Sequence, residues 1–307
     1  MIVGGAATGS LAYIGYPSLF IDNEFHYQDT PFNKKILNMC STHLPSYRPA
    51  FLASGNKRQT LWMCVSGHNR MECFYDRHFI KLADGGTISV DWAEPKETAS
   101  GKRKVCVIFP GLSGGSDKGY VKILTHTLTE AGFEVAVLHP RGFGNTEYTS
   151  PHFQALGSNE EFIQGLKHIK SRAKGADIVG VGMSAGACHM LRLAGDMKGD
   201  FPLKAMVSIS NPFDFWKCIN RMRGNVYERF LIGNLRQFLI FRDPLSEQEQ
   251  ENFSKARENF GLNPETIKKV TTWHEWDARF TAKVIPGFKS SSQYYAKASC
   301  TKQVSQI

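Results

Sequence analysis

The run Asp177-Ile178-Val179-Gly180-Val181-Gly182-Met183-Ser184-Ala185-Gly186 decides the fold. A short apolar stretch suited to a β-strand closes on Gly-Met-Ser-Ala-Gly. A helical spacing of apolar residues, Cys188, Met190, Leu191, Leu193 and Ala194, begins at once. Strand, sharp turn and helix around G-x-S-x-G form the context of a nucleophile elbow. Such a turn strains the serine backbone, so small neighbours are needed on both sides. The hydroxyl then stands above the sheet edge at the positive end of the following helix. Without chemistry, the same run is a glycine-rich turn with a capping serine.

Working outward, short apolar runs alternate with helical patterns of about a dozen residues. Residues 73–82 and 87–93 read as two strands around Asp84-Gly85-Gly86, a hairpin signal. Strands are expected at 104–109, 134–138, 177–183 and 203–209, with helices at 118–131, 158–172 and after the elbow. This alternation predicts βαβ units, a mostly parallel sheet and right-handed crossovers. Ligands on such a sheet bind beyond the carboxyl ends of its strands, where the loops 110–116, 139–146 and 182–186 are expected to meet.

The loop Pro110-Gly111-Leu112-Ser113-Gly114-Gly115-Ser116 carries the second chemical signal. Acyl transfer through a serine creates a tetrahedral oxyanion that needs two prearranged N–H donors. One comes from the residue after the nucleophile, here Ala185, and the other from the loop after the third strand, here Leu112. Losing one such donor typically costs about 3 kcal/mol of barrier. A glycine-rich loop chosen for tight packing, or one cradling phosphate, is the plainer alternative. The spacing of a Walker loop is absent.

The 307 residues are 42% hydrophobic and 21% charged, ample for one large core or two small ones. There are 37 basic and 28 acidic residues, a formal charge of +9. That excess reads either as a solvated basic face or as attraction to anionic phospholipid. The basic residues are scattered without a zinc-finger, RNP or KH signature, so no nucleic acid partner is expected. Seven dispersed cysteines without C-x-x-C read as core filler or reduced thiols. Residues 1–21 carry no charge and are just long enough for a possible membrane anchor, although their glycines dilute it. Residues 22–70, broken by Pro31, Pro45, Pro49 and Gly55, read as an irregular wrapping segment.

At this point the chain resembles a known family. Pro110-Gly-Leu-Ser-Gly-Gly-Ser, His139-Pro-Arg-Gly, Leu156-Gly-Ser-Asn-Glu-Glu-Phe, Gly182-Met-Ser-Ala-Gly and Ser208-Ile-Ser-Asn-Pro-Phe-Asp are similar to motifs of the abhydrolase-domain branch of the α/β-hydrolases. That branch includes monoacylglycerol lipases, phospholipases and medium-chain esterases. Gln59-Thr60, Asp84-Gly85-Gly86-Thr-Ile-Ser-Val-Asp91-Trp92, Trp276-Asp277-Ala-Arg279-Phe280-Thr281, Gly287-Phe288 and Tyr294-Tyr295 extend the likeness over about residues 25–302. The resemblance implies an α/β-hydrolase fold with a core at 71–211 and a mostly helical cap at 212–307. It implies Ser184 as nucleophile and no metal or organic cofactor.

The chain departs from the family pattern in two places. Ala185 stands where relatives more often carry Leu or Met, which leaves the N–H donor in place. The family's acid and base follow later strands beyond Tyr294-Tyr295, and the resemblance implies that this chain ends before both, with its last strands missing. After Ser184 only His189 and His274 remain. His189 lies too far into the elbow helix to reach back over its own serine, and His274 falls in a segment that the resemblance marks as structural. Asp243 and Asp214 are weaker candidates for an acid. His139 is expected to shape the pocket or to serve the loop structurally. Strand 203–209 would then be an uncovered apolar edge that invites a partner chain.

Helices are expected over 213–241, over 246–259 and from 264 onward. Their apolar and aromatic character suits a fatty acyl chain. Arg221, Arg223, Arg229, Arg236 and Arg242 lie beside it as a candidate face for anionic headgroups. The expected activity is serine hydrolysis of a lipid acyl ester (acylglycerol, phospholipid or medium-chain ester) at an intracellular membrane. No H-x-x-x-x-D occurs at any of the ten histidines, which favours hydrolysis over acyl transfer to an alcohol. The alternative is a non-catalytic scaffold that binds lipid or sterol.

Overall fold

A computed structural model describes residues 24–40, Gln59, 71–97, 101–153, 159–285 and 290–307. The candidate anchor at 1–21, most of 41–70, the Leu156-Gly157-Ser158 motif and Gly287-Phe288 lie outside the described residues. The chain divides into two compact units, Met1–Arg70 and Met71–Ile307. In the first, where irregular chain was expected, α1 spans Pro31–Cys40. Pro31 opens it, where a missing N–H costs nothing, and the Asn33 N–H donates to the Thr30 hydroxyl at 3.1 Å. Among the described residues no helix is long and apolar enough to cross a membrane.

The second unit is built on six strands in the order β1-β2-β4-β3-β5-β6. β1 (Asp76–Lys81) and β2 (Thr87–Ala93) form the expected antiparallel hairpin, and β2 pairs antiparallel with β4 (Glu134–His139). β3 (Lys104–Phe109) is parallel to β4 and to β5 (Asp177–Met183), and β6 (Ala205–Ile209) is parallel to β5. β1 is shorter than the run 73–82, and β6 begins two residues later than expected. β6 is an edge strand, and most of its residues are exposed.

The period of two sorts each central strand between two layers. Val105, Val107 and Phe109 face α3 (Glu160–Arg172) and α4 (Ala185–Met197), through Phe162, Leu166, Ile169, Met190 and Leu193. Ile108, Val135 and Val137 face α2 (Gly119–Glu130), through Val121 and Leu124. Strands covered on both faces need no polar residues, and β4 is buried from end to end.

Beyond β6 the single helix expected at 213–241 is two: α5 (Phe215–Met222) and α6 (Val226–Leu239). Gly224 breaks it at φ +73°, and its N–H donates to the buried Glu228 carboxylate at 2.7 Å. The side chains of Asp214 and Asn225 cap α5 and α6. α7 (Glu247–Asn259) follows, and then α8 (Pro264–Lys268), α9 (Trp273–Trp276), a π turn at Asp277–Thr281, α10 (Ala282–Val284), α11 (Ser291–Ala298) and α12 (Thr301–Val304). The helices from α5 to α11 share a core of their own around Ile232, Leu235, Phe253, Trp276, Phe280 and Tyr295. Phe143, Tyr148 and Phe153, from the loop after β4, pack into that core.

Asp277 lies 2% exposed inside this helical core. Burial pushes its carboxyl up to about 6, against hydrogen bonds donated by the Tyr295 and Thr281 hydroxyls. The native state therefore prefers the protonated acid. Its contribution is full below the ordinary value of 3.8 and is lost as pH rises through about 6. The difference is roughly 3 kcal/mol. Urea unfolding across that window should show Asp277→Asn gaining stability relative to wild type as pH increases, and no relative gain would contradict the assignment.

Candidate active site

Ser184 sits between β5 and α4 with φ +53° and ψ −122°, a region that a non-glycine residue rarely occupies. Its N–H donates to the Ile209 carbonyl at 2.9 Å, and its carbonyl accepts the Cys188 N–H at 3.2 Å. These bonds tie the strained residue to β6 on one side and to α4 on the other. The residue is exposed although Ala185 and Gly186 on its C-terminal side are buried.

The glycines of the elbow are dictated by backbone proximity. A Cβ on Gly186 would overlap the carbonyl oxygens of Phe109 and Pro110, and one on Gly182 would stand 2.5 Å from Ala187 Cα. The start of α4 is therefore pressed against the end of β3. Gly111 closes the approach from the other loop, where a Cβ would lie 3.4 Å from both Met183 O and Ser184 Cβ. The sequence places Leu112 and Ala185 on two loops about seventy residues apart, and the fold brings them onto the wall of one small cavity of about 20 Å³. Gly111, Phe143, Phe162 and His189 contribute to the same wall. That volume holds about one water-sized group. Among the described residues neither the Leu112 nor the Ala185 amide has an acceptor.

The 110–116 loop is held from beneath by polar groups that the motif does not reveal. The Gly111 N–H donates to the Tyr120 hydroxyl at 3.0 Å, and the Gly114 N–H donates to the Gly111 carbonyl at 2.9 Å. Ser116 donates its N–H to His139 Nε2 at 3.0 Å and its hydroxyl to the Asp91 carboxylate. Asp91 also takes a two-pronged bond from Arg77, at 2.6 and 2.7 Å. Burial pushes the Asp91 carboxyl up, but Arg77, His139 and Ser116 outweigh it and hold the group below its ordinary value. His139 is completely buried, and its Nδ1 lies 3.2 Å from the Ser89 hydroxyl. Accepting at Nε2 leaves the proton on Nδ1, so His139 is a neutral brace for the loop. Burial lowers its pKa to about 4, against the pull of Asp91.

The neighbouring loop after β4 is anchored in the same way. Arg141 reaches Glu161 on α3, Asp84 of the β1–β2 turn at 2.8 Å and the Ser150 hydroxyl at 2.9 Å. His189 stacks on Phe162 with ring centroids 4.6 Å apart, and burial together with Arg192 keeps it neutral. His274 lies between Trp216 and Tyr295, with centroids 6.0 and 6.3 Å away. Among the described residues no imidazole or carboxylate contacts the Ser184 hydroxyl. Asp214 is occupied as the cap of α5.

Tyr120 was not singled out in the sequence, and Asp91 and Asp277 entered only as members of resemblance motifs, with no role assigned. Asp91 offered a signal, as the one charged residue in the run 87–93. Tyr120 offered none, because its role depends on the loop folding back over its own helix.

Two consequences are measurable. Gly186→Ala should lower stability by about 3 kcal/mol or more in urea unfolding, since backbone oxygens cannot yield as a side chain would. His139 should titrate far below its ordinary value of 6.5. The neutral form is the native one, so its contribution is full above about 6.5 and is lost as pH falls through about 4. Its ring resonances should stay constant from about pH 8 to about pH 5, and a mid-range titration would refute the bracing role.

Comparison with known proteins agrees with this architecture. A family model described as alpha/beta hydrolase fold matches residues 104–300. Embryogenesis-associated protein EMB8 of Picea glauca is 29% identical over 245 residues, covering 75% of this chain and 51% of the relative. Mouse phospholipase ABHD3 is 25% identical over 282 residues, covering 90% and 66%, and the Saccharomyces cerevisiae monoacylglycerol lipase is 27% identical over 221 residues, covering 70% and 47%. The chain thus spans about half to two thirds of the length of these relatives. Among solved structures, the Pyrococcus furiosus esterase Pf2001 aligns with a TM-score of 0.43 at 17% identity, over 61% of this chain and 79% of that one. With the elbow, the parallel sheet and a family match across most of the second unit, the chain belongs to the α/β-hydrolase family, in its abhydrolase-domain branch.

Proposed function

We propose that this chain is a serine hydrolase of acyl esters in lipids. The observation that carries the reading is the strained, exposed Ser184 beside two loops whose Leu112 and Ala185 line one cavity. In this reading the Ser184 Oγ attacks the acyl carbonyl and its proton passes to a general base. The carbonyl oxygen becomes an anion facing the Leu112 and Ala185 amides. The bond to the leaving alcohol then breaks, the alcohol takes up a proton, and water later releases the acid from the acyl-enzyme.

The relatives named as a phospholipase and a monoacylglycerol lipase support a lipid ester as substrate. A second small cavity, which also has Leu112 and Phe143 in its wall, is lined by Leu235, Leu239, Trp273 and Phe280. Asp277 and Thr281 are also in that wall, but it is mostly apolar and shares Leu112 and Phe143 with the first cavity, which suits a fatty acyl chain better than a sugar. We assign residues 71–211 as the catalytic core and 212–307 as a cap that shapes the acyl site, and we place the enzyme at a membrane surface inside the cell.

One observation favours a second reading. No base contacts Ser184 among the described residues, and an oxyanion site alone accelerates a reaction over water by only about 10³–10⁴. A lipid-binding scaffold would need no base. A fluorophosphonate probe separates the two. Wild type should be labelled at Ser184 and should release acid from a medium-chain p-nitrophenyl ester, with Ser184→Ala abolishing both. Labelling of wild type no greater than that of Ser184→Ala would leave the scaffold reading in place.

A further inference from the structure

Helices α5 and α6 are joined by only three residues, and each turns apolar and basic residues to solvent. On α5, Trp216, Lys217, Asn220 and Arg221 are exposed, four residues apart in pairs and so on one side of the helix. On α6, Val226, Arg229 and Phe230 are exposed, while Glu228, Ile232, Leu235 and Leu239 are buried. Phe213 just before α5 and Arg223 in the connection complete the surface. Its apolar members are well out in solvent, with Phe213 44%, Trp216 47%, Phe230 55% and Val226 71% exposed.

The exposed charges between residues 215 and 242 have one sign, with Asp214 just outside that stretch. Between residues 215 and 242 the sole carboxylate is Glu228, which is 1% exposed and accepts the Gly224 and Trp273 N–H groups. Six cations lie in the same stretch. The structure removes two of them from the expected arginine row. Arg236 donates to the Lys268 carbonyl, and Arg242 is drawn inward to Glu249 and the Gly142 carbonyl. Arg221, Arg223 and Arg229 have no carboxylate partner among the described residues, and Lys217 meets Asp214 only at 3.8 Å. A protein partner with an apolar face would leave these cations unmatched, and an acidic peptide would leave the aromatic residues unmatched. Lysine and arginine interleaved with Trp, Phe and Val on short amphipathic helices match the boundary of an anionic bilayer, which offers phosphates and acyl chains at one depth.

We infer that the α5–α6 face is a docking surface for an anionic phospholipid membrane. Arg221, Arg223, Arg229 and Lys217 meet the headgroups, and Trp216, Val226 and Phe230 enter the boundary with the acyl chains. The inference rests on the proposed action on lipid esters for its biological sense, but the binding it predicts is independent of any reaction. Among the described tryptophans Trp216 alone is exposed, since Trp92, Trp273 and Trp276 are buried, which gives a local reporter.

The test is flotation of the full chain, carrying Ser184→Ala so that catalysis plays no part. The vesicles are phosphatidylcholine with and without phosphatidylserine, and tryptophan emission is recorded in parallel. The expected result is binding that requires phosphatidylserine, weakens as salt is raised and shifts emission to the blue. Each arginine near an anionic surface contributes about fivefold, so Arg221→Gln/Arg223→Gln/Arg229→Gln should bind roughly a hundredfold more weakly. Lys167→Gln/Lys170→Gln on α3 removes exposed charge elsewhere and should bind as the parent does. Trp216→Phe should keep binding and lose the emission shift. Equal binding to both vesicle types, an unaffected triple variant or an equal loss in the α3 variant would overturn the inference. Absent ester hydrolysis by the wild-type chain, with intact vesicle binding of the Ser184→Ala chain, would instead count against the proposed reaction alone.

Discussion

The architecture of the site depends on how closely two backbones approach, where the start of α4 presses on the carboxyl end of β3. Gly186 has the Phe109 and Pro110 carbonyl oxygens where a side chain would begin, and Gly182 faces Ala187 in the same way. That contact leaves the chain one route from β5 into α4, through a left-handed residue at position 184. The strain is of the order of 1–3 kcal/mol, and it persists only because the surrounding structure over-determines it. The Ser184 N–H bonded to β6, the Ser184 carbonyl bonded into α4 and the buried strand β3 beside β5 supply that constraint.

A second constraint is polar. The 110–116 loop is rich in glycine and would have many conformations in isolation. It is held by Tyr120 at one end and by Ser116 at the other, where the Asp91 carboxylate and the His139 ring meet. Asp91 is ionised inside the protein because Arg77 meets it with two hydrogen bonds, and His139 is neutral because burial disfavours its charge. Each group has the protonation state its partners require. The network is satisfied, and the loop it carries can keep its amides in place without reorganisation, the condition under which fixed donors are effective.

The helices after β6 make a core separate from the sheet, and the two cores meet at the loops. Leu112 packs on the helical cluster while its backbone belongs to the sheet side, and Phe143 and Tyr148 do the same from the neighbouring loop. Movement of the helices would therefore be felt at the candidate oxyanion loop through packed side chains. The buried carboxylate at Asp277 is a weak point of this helical core, bonded by two hydroxyls and matched by no cation contact among the described residues.

The sequence by itself determined the class of fold, the order of strands and helices in 71–211, the hairpin at Asp84-Gly85 and the serine turn. Those features are local, set by a period of two or of 3.6 and by glycines at fixed offsets. It also marked Leu112 and Ala185 as a pair, through motif spacing. Only the tertiary structure decided that the two line one cavity, that His139 is a brace and that Asp91, Tyr120 and Asp277 matter at all. It also split the expected helix at Gly224 and sorted the arginine row into cations that face solvent and cations that are engaged. The physical reason is common to all of these. A buried polar group takes its meaning from partners tens of residues away, and an exposed one from what is missing around it, and neither is written in local periodicity.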